Sequence, residues 1–220
     1  METHQFYNSV SSCANTQAHC PNTLNSHSSG WIPRGFFTRV NSGPVDVLAV
    51  CKNPGHLLPN EADLYRKTAP SELAKTHMQH AAVTFQGGNI TNPNDVHSTV
   101  FHKNLRRYMA FILDVDQDKV FDHMVYTNLV KCSTRGEQDK LNPKTMRECF
   151  GRHFVREIEF FSPKVLIAFG REVEGFLTKM RALGVHGLPV IYLKHPSYYY
   201  RKDIEASELM RVKVEASRWI

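Results

Sequence analysis

Asn53 is the first uncharged amide to emerge from the stretch Val45-Asp46-Val47-Leu48-Ala49-Val50-Cys51-Lys52-Asn53-Pro54-Gly55-His56. An amide there can orient a water molecule or read a polar edge, but it cannot act as a strong base. The turn that follows is sharp: Pro54 fixes its own φ, and Gly55 leaves room for a ligand to approach the backbone. The second set of chemistry-bearing residues is the five cysteines, Cys13, Cys20, Cys51, Cys132 and Cys149. In a reducing compartment they argue against a disulfide framework and leave metal ligation as the alternative to free thiols.

The elements that must position these groups read as follows. The apolar, β-branched first half of the stretch, bounded by Gly43-Pro44, predicts a buried strand. Further strands are expected at His123 to Val130, Val165 to Phe169 and Pro189 to Leu193. Helices are expected from about Thr99 to Leu113, from Pro143 (capped by Asn142) to Phe161, from Gly170 through Leu183, and from about Asp203 to Trp219. Shorter ones are expected at Glu61 to Lys67 and Ser71 to His80. Alternation of this kind predicts a three-layer α/β/α sandwich around a central, mostly parallel four-stranded sheet, with ligands at the carboxyl edge. Residues 1 to 42 are rich in Ser, Asn, Thr and His and read as an irregular arm, pinned by Trp31, Phe36 and Phe37. The domain proper then runs from 43 to 220, with an insert at about 66 to 122.

Composition bounds the partners. A chain of 220 residues with a net charge of +6 and a pI near 9.1 favours a polyanion without requiring one. The longest apolar runs are too short to span a membrane. The first residues lack the apolar core of a secretory signal, so a cytoplasmic protein is the expectation. No G-x-G-x-x-G follows the first strand and no P-loop appears, which counts against a Rossmann-like nucleotide binder.

Four separated stretches together resemble the uracil-DNA glycosylase superfamily. Cys51-Lys52-Asn53-Pro54-Gly55 is similar to its first motif, written G-x-x-P-G in several branches, with Cys51 where the opening glycine usually stands. Asn53 falls where the mismatch-directed and single-strand-selective branches carry Asn; the iron–sulfur branch uses Glu one place earlier, where this chain has Lys52. Val125 to Cys132 resembles the strand whose Asn reads the flipped base. Ser162 to Gly170 resembles the iron–sulfur branch's P-K-V-I-V-x-L-G run, and Lys194-His195-Pro196-Ser197 resembles the H-P-S motif after the last strand.

The resemblance implies a monofunctional DNA glycosylase, a monomer that swings a pyrimidine nucleotide out of DNA and hydrolyses its N-glycosidic bond. Asn53 would orient the attacking water, and His195 would stabilise the charge that develops on the base. Asn128 would read the base edge, its amide able to rotate to suit uracil or cytosine. Tyr65 would stack on the base, and Gly55 would leave space beside C5. Ser197 would grip a phosphate, while Tyr198, Tyr199, Tyr200, Arg201 and Lys202 would wedge into the duplex and meet its backbone. Uracil is the default substrate; a C5-modified cytosine, as some phage genomes carry, is the other, and would make this a defence enzyme. A catalytically weak DNA or abasic-site binder is the alternative.

Cys132 and Cys149 fall where the iron–sulfur branch has its second ligand pair. Cys13 and Cys20 would supply the first, although that branch uses a tight C-x-x-C. The resemblance thus implies a structural [4Fe–4S] cluster on four thiolates, with zinc at the same residues or free cysteines as alternatives.

Overall fold

The computed structural model describes residues 1–11, 13, 35–54, 67–85, 96–132, 143–198 and 201–220. Its centre is a four-stranded sheet of β1 (Val47–Cys51), β2 (Met124–Asn128), β3 (Val165–Phe169) and β4 (Val190–Leu193). The order is β2-β1-β3-β4, and every neighbouring pair is parallel. The first three strands are buried at every position. Continuous apolar runs of this sort belong to sheets covered on both faces, and the expected α/β/α class is what the chain adopts.

Period-two alternation sorts the strand side chains into two cores. Val47, Ala49, Cys51, Met124, Tyr126, Ile167, Phe169, Ile191 and Leu193 face one cluster. Helices α3 (Val96–Leu113) and α8 (Lys202–Ala216) close it with Phe101, Leu105, Tyr108, Leu209 and Val212. Leu48, Val50, Val125, Leu166 and Ala168 face the other. That side is covered by α1 (Thr3–Ser11), α5 (Pro143–Cys149), α6 (Val155–Phe161) and α7 (Arg171–Ala182). Burying each large apolar side chain contributes about 1.5–3 kcal/mol, so both layers are needed to hold the sheet. A five-residue π-helical segment, Phe150–Phe154, joins α5 to α6. The short α4 (Val120–His123) leads into β2, which therefore starts one residue later than expected. Helix α2 (Leu73–Phe85), entered through a 3-10 turn at Pro70–Glu72, lies between the arm and α3.

The arm departs from its expected irregular form. Thr3–Ser11 is a helix whose Phe6, Tyr7 and Val10 are buried. Tyr7 stacks on Phe36 with ring centroids 3.7 Å apart and planes at 3°. Phe37 then pairs antiparallel with Tyr126, each N–H donating to the other's carbonyl at 2.9 Å. Arm backbone thus covers the outer edge of β2, where unpaired strand groups would otherwise face solvent. Trp31, Asn142 and the Glu61-to-Arg66 part of the expected short helix lie outside the described residues.

Candidate active site at the carboxyl edge of the sheet

Register brings the candidate residues to one edge. Cys51 and Asn128 are Cα partners, and so are Phe169 and Leu193. The ladder continues past the strands, with Leu129 N–H donating to the Cys51 carbonyl and Val130 N–H to the Lys52 carbonyl, both at 2.9 Å. Asn53, Asn128 and His195 each stand two residues beyond a side chain of the same core cluster, namely Cys51, Tyr126 and Leu193. Asn128 belongs to the face covered by α3 and α8, as its bond to Tyr126 shows, and His195 packs on Phe101 of the same face, while Asn53 lies in the turn that follows β1 at the same edge. Lys52 belongs to the opposite face and pairs with Glu172 of α7 at 2.7 Å.

His195 is held from three sides. Phe101 of α3 lies along its ring, centroids 5.3 Å apart and planes at 29°. Nδ1 accepts the backbone N–H of Ser197 at 3.3 Å, and the Tyr198 N–H donates to the His195 carbonyl at 3.0 Å, closing the His-Pro-Ser-Tyr turn. Asn104 of α3 donates its Nδ2 to the Pro196 carbonyl at 2.8 Å. Burial lowers the imidazole pKa to about 4, because removing the ring from water disfavours its charged form. A neutral ring whose Nδ1 accepts carries its proton on Nε2, as a donor.

Asn128 is fully buried at the end of β2. Its Nδ2 donates to the Gly35 carbonyl at 2.5 Å and to the Tyr126 hydroxyl at 3.3 Å, while its Oδ1 is buried with no hydrogen-bond partner. Tyr126 in turn contacts Phe101, with centroids 5.6 Å apart. A continuous line of contacts therefore runs from Asn128 through Tyr126 and Phe101 to His195. Gly35 ties in the Asn53 turn as well: a Cβ there would fall 2.7 Å from the Pro54 Cβ and closer still to the Asn128 amide nitrogen.

Beneath Asn128, on the other face, is a buried ionic cluster that sequence reasoning missed. The Lys131 ammonium and the Glu157 carboxylate form an ion pair, exposed by 1% and 0%. Lys131 Nζ also donates to Thr127 Oγ1 at 2.7 Å and to the Asn128 carbonyl at 2.6 Å, and Thr127 Oγ1 donates to Glu157 at 2.8 Å. Tyr7 feels the same carboxylate. Burial, then the Glu157 charge, push its phenol pKa well up, although its hydroxyl makes no hydrogen bond of acceptable geometry. His153 is also held neutral, its pKa lowered to about 3 by burial and then by the charge of Lys131.

The expected DNA-facing residues are on the surface. Ser197, Arg201 and Lys202 are exposed, and Tyr198 is 65% exposed. Lys202 opens α8 rather than continuing a loop. That helix start is pinned to α3, where Arg107 grips Glu205 with two bonds of 2.8 Å and the Tyr108 hydroxyl donates to the same carboxylate at 2.5 Å. Gly55, Tyr65, Tyr199 and Tyr200 lie outside the described residues.

Of the cysteines, Cys132 and Cys149 are buried in the same core cluster. Cys149 Sγ accepts the N–H of Lys131, the neighbour of Cys132, at 3.4 Å. Cys13 follows α1 and is partly exposed, and Cys20 lies outside the described residues. Among the described residues no group of three or more His, Cys, Asp or Glu side chains is arranged to hold a metal ion, so the expected four-thiolate set is not assembled by them. Cys51 is a strand residue whose thiol pKa burial pushes up, which makes it unreactive. Among the described residues no helix is long and apolar enough to cross a membrane.

The family described as the uracil DNA glycosylase superfamily matches residues 68–216. That span contains Asn128 and His195 but begins after Gly35, whose carbonyl accepts from Asn128, and after Asn53, in the turn that follows β1. No curated protein matches the sequence significantly.

Proposed function

Because the chain belongs to the uracil DNA glycosylase superfamily, whose members remove bases from DNA, we propose that it hydrolyses the N-glycosidic bond of a damaged or modified pyrimidine extruded from DNA. What supports this reading is one observation: the neutral imidazole of His195 and the buried amide of Asn128 are linked through Phe101 and Tyr126 on one face of the sheet edge. In the proposed reaction the C1′–N1 bond breaks and its electron pair leaves with the base. A water oxygen adds to C1′ and its proton passes to solvent, leaving an abasic site. His195 donates from Nε2 to the charge that builds on the base oxygen, a contribution of about 3–4 kcal/mol in a site closed to water. Asn53 orients the water without removing its proton. Tyr65 stacks on the base and Gly55 leaves space at C5. Ser197, Tyr198, Tyr199, Tyr200, Arg201 and Lys202 hold the flanking DNA.

Uracil and C5-modified cytosines are the two substrate classes this reading admits, the latter with a role against modified phage DNA. Oligonucleotides carrying one candidate base each, incubated with the protein and heated in alkali, test it. Strand breaks at one base, lost in Asn53→Ala and His195→Ala, are the expected result. No break with any base, or unchanged rates in both variants, would sink it; tight binding without breakage would mark a binder instead.

A structural [4Fe–4S] cluster on Cys13, Cys20, Cys132 and Cys149 is part of the proposal. Its support is the donor chemistry, with two buried thiols in one core cluster and a backbone N–H on one sulfur, as cluster sulfurs accept. Iron and sulfide analysis of anaerobically purified protein, with absorbance near ~400 nm, decides between it, zinc and free thiols.

A further inference from the structure

The glycosylase reading leaves open how Asn128 distinguishes one base from another, and the arm supplies a constraint on it. An Asn side chain has two N–H donors on Nδ2 and an acceptor on Oδ1. Here the Gly35 carbonyl takes one donor and the Tyr126 hydroxyl the other, at 2.5 and 3.3 Å. Turning the amide over would set Oδ1 against the Gly35 carbonyl, two acceptors at hydrogen-bond distance with no proton between them. The expectation of a freely rotating amide is therefore withdrawn. What Asn128 has left to offer is Oδ1, buried and without a partner, and an unpaired buried acceptor is costly until something donates to it.

The arm can hold this position because residue 35 is glycine. Its φ is +81°, a conformation that favours glycine, and any Cβ would collide with the Asn128 amide and with Pro54. Its backbone is held in turn: the Gly35 N–H lies 3.1 Å from His77 Nε2 and the Phe36 carbonyl 3.0 Å from the same atom.

We infer that Gly35 is a specificity-determining residue: its carbonyl fixes which way the Asn128 amide faces, and with the Tyr126 hydroxyl it engages the amide nitrogen, so Asn128 reads its base through one acceptor and the base must present an N–H there. This rests on the glycosylase reading above and narrows it. Two pyrimidine groups supply that chemistry, the ring N3–H of uracil and the exocyclic amino group of cytosine and its C5-modified forms. A base alkylated at the N–H that faces Asn128 is refused.

The test uses the full chain and oligonucleotides with uracil, N3-methyluracil, 5-hydroxymethylcytosine or its N4-dimethyl form at one site, scored for base release and, in His195→Ala, for binding. The expected result is that a released base loses about 100-fold or more on alkylation, since sites built around a substrate N–H reject analogues lacking it strongly. The pair that shows the loss tells which N–H is read. Gly35→Ala, with its fold checked by circular dichroism and melting, is expected to lower release of that base at least tenfold. Parent and alkylated bases released alike, or a folded Gly35→Ala with unchanged release, would overturn the inference while leaving the glycosylase reading standing. Release of no base by the unaltered chain would remove both. Where Gly35→Ala does not fold, the comparison of parent and alkylated bases in the unaltered chain decides alone.

Discussion

Phe101 lies along the imidazole of His195, with ring centroids 5.3 Å apart and planes at 29°, so a residue of α3 sets the environment of a residue after β4. The contact both orients the ring and keeps water from it, and burial is what lowers the His195 pKa to about 4. Phe101→Ala should therefore raise that pKa toward the usual value near ~6.5, read by NMR titration of the ring. Base release should fall by about 10- to 100-fold, as lost positioning usually costs. An unshifted titration would mean that the lowered pKa has another source.

In the proposed reaction Asn53 would carry the water-orienting role without a carboxylate. Asn53→Ala is expected to reduce single-turnover base release by about 100-fold or more, and Asn53→Asp to exceed the native rate, because general-base assistance contributes about 10²–10⁴-fold where it can act. Rapid-quench measurements on the preferred base check both, and Asn53→Asp falling to the level of Asn53→Ala would contradict the assigned role.

Three histidines whose folded pKa values are lowered by burial, His153, His186 and His195, make stability depend on pH. His153 and His195 have folded pKa values lowered to about 3 and about 4. The unfolded chain takes up a proton at each as pH falls through ~6.5 while the folded chain does not, so stability is lost on acidification at about 1.4 kcal/mol per pH unit for each group, until the folded pKa is reached. Both ring nitrogens of His153 lack partners, and no polar contact is forfeited by replacing them. His153→Phe should keep the fold and reduce the acid dependence of stability between about pH 6 and 4 by about 1.4 kcal/mol per pH unit, read from urea titrations. An unaltered slope would refute the assignment.

The Lys131–Glu157 pair holds the carbonyl of Asn128 through the Lys131 ammonium. Lys131→Met leaves the buried Glu157 with the Thr127 hydroxyl but no cationic partner, and should destabilise by about 3–5 kcal/mol in urea titrations. Combining it with Glu157→Leu should recover most of that loss, since an apolar pair of similar volume is often no worse than a buried ion pair. Base release should stay depressed in the double variant, because the Asn128 carbonyl has lost its donor. Full recovery of both would make the pair a purely structural device.

The sheet was legible because its strands are apolar runs bounded by Gly and Pro, and the parallel class follows from their alternation with amphipathic helices. The resemblance singled out Asn53, Asn128 and His195, and parallel pairing brings the ends of the strands that precede or carry them to one edge of the sheet. Lys131 was not legible as buried: its partner Glu157 stands 26 residues away on α6, and a Lys beside a strand reads as solvated. Gly35 in Pro33-Arg34-Gly35 reads as punctuation, since nothing local says that Asn128 will pack against it. Helix α1 carries only a weak start signal, the Gln5 side chain accepting the Glu2 N–H at 2.9 Å, with no acidic residue in its first turn and no basic residue in its last. It forms because Phe6, Tyr7 and Val10 find an apolar surface, a tertiary cause that propensity does not contain.

The stack of Tyr7 on Phe36 bears on how this protein is handled at the bench. Phe36 follows the glycine that abuts the Asn128 amide, and Tyr7 stacks on it. A fusion partner close to Met1, or removal of the first eleven residues as dispensable, would loosen the segment that holds the Asn128 amide from some distance away. Preparations made that way would report the behaviour of an altered enzyme.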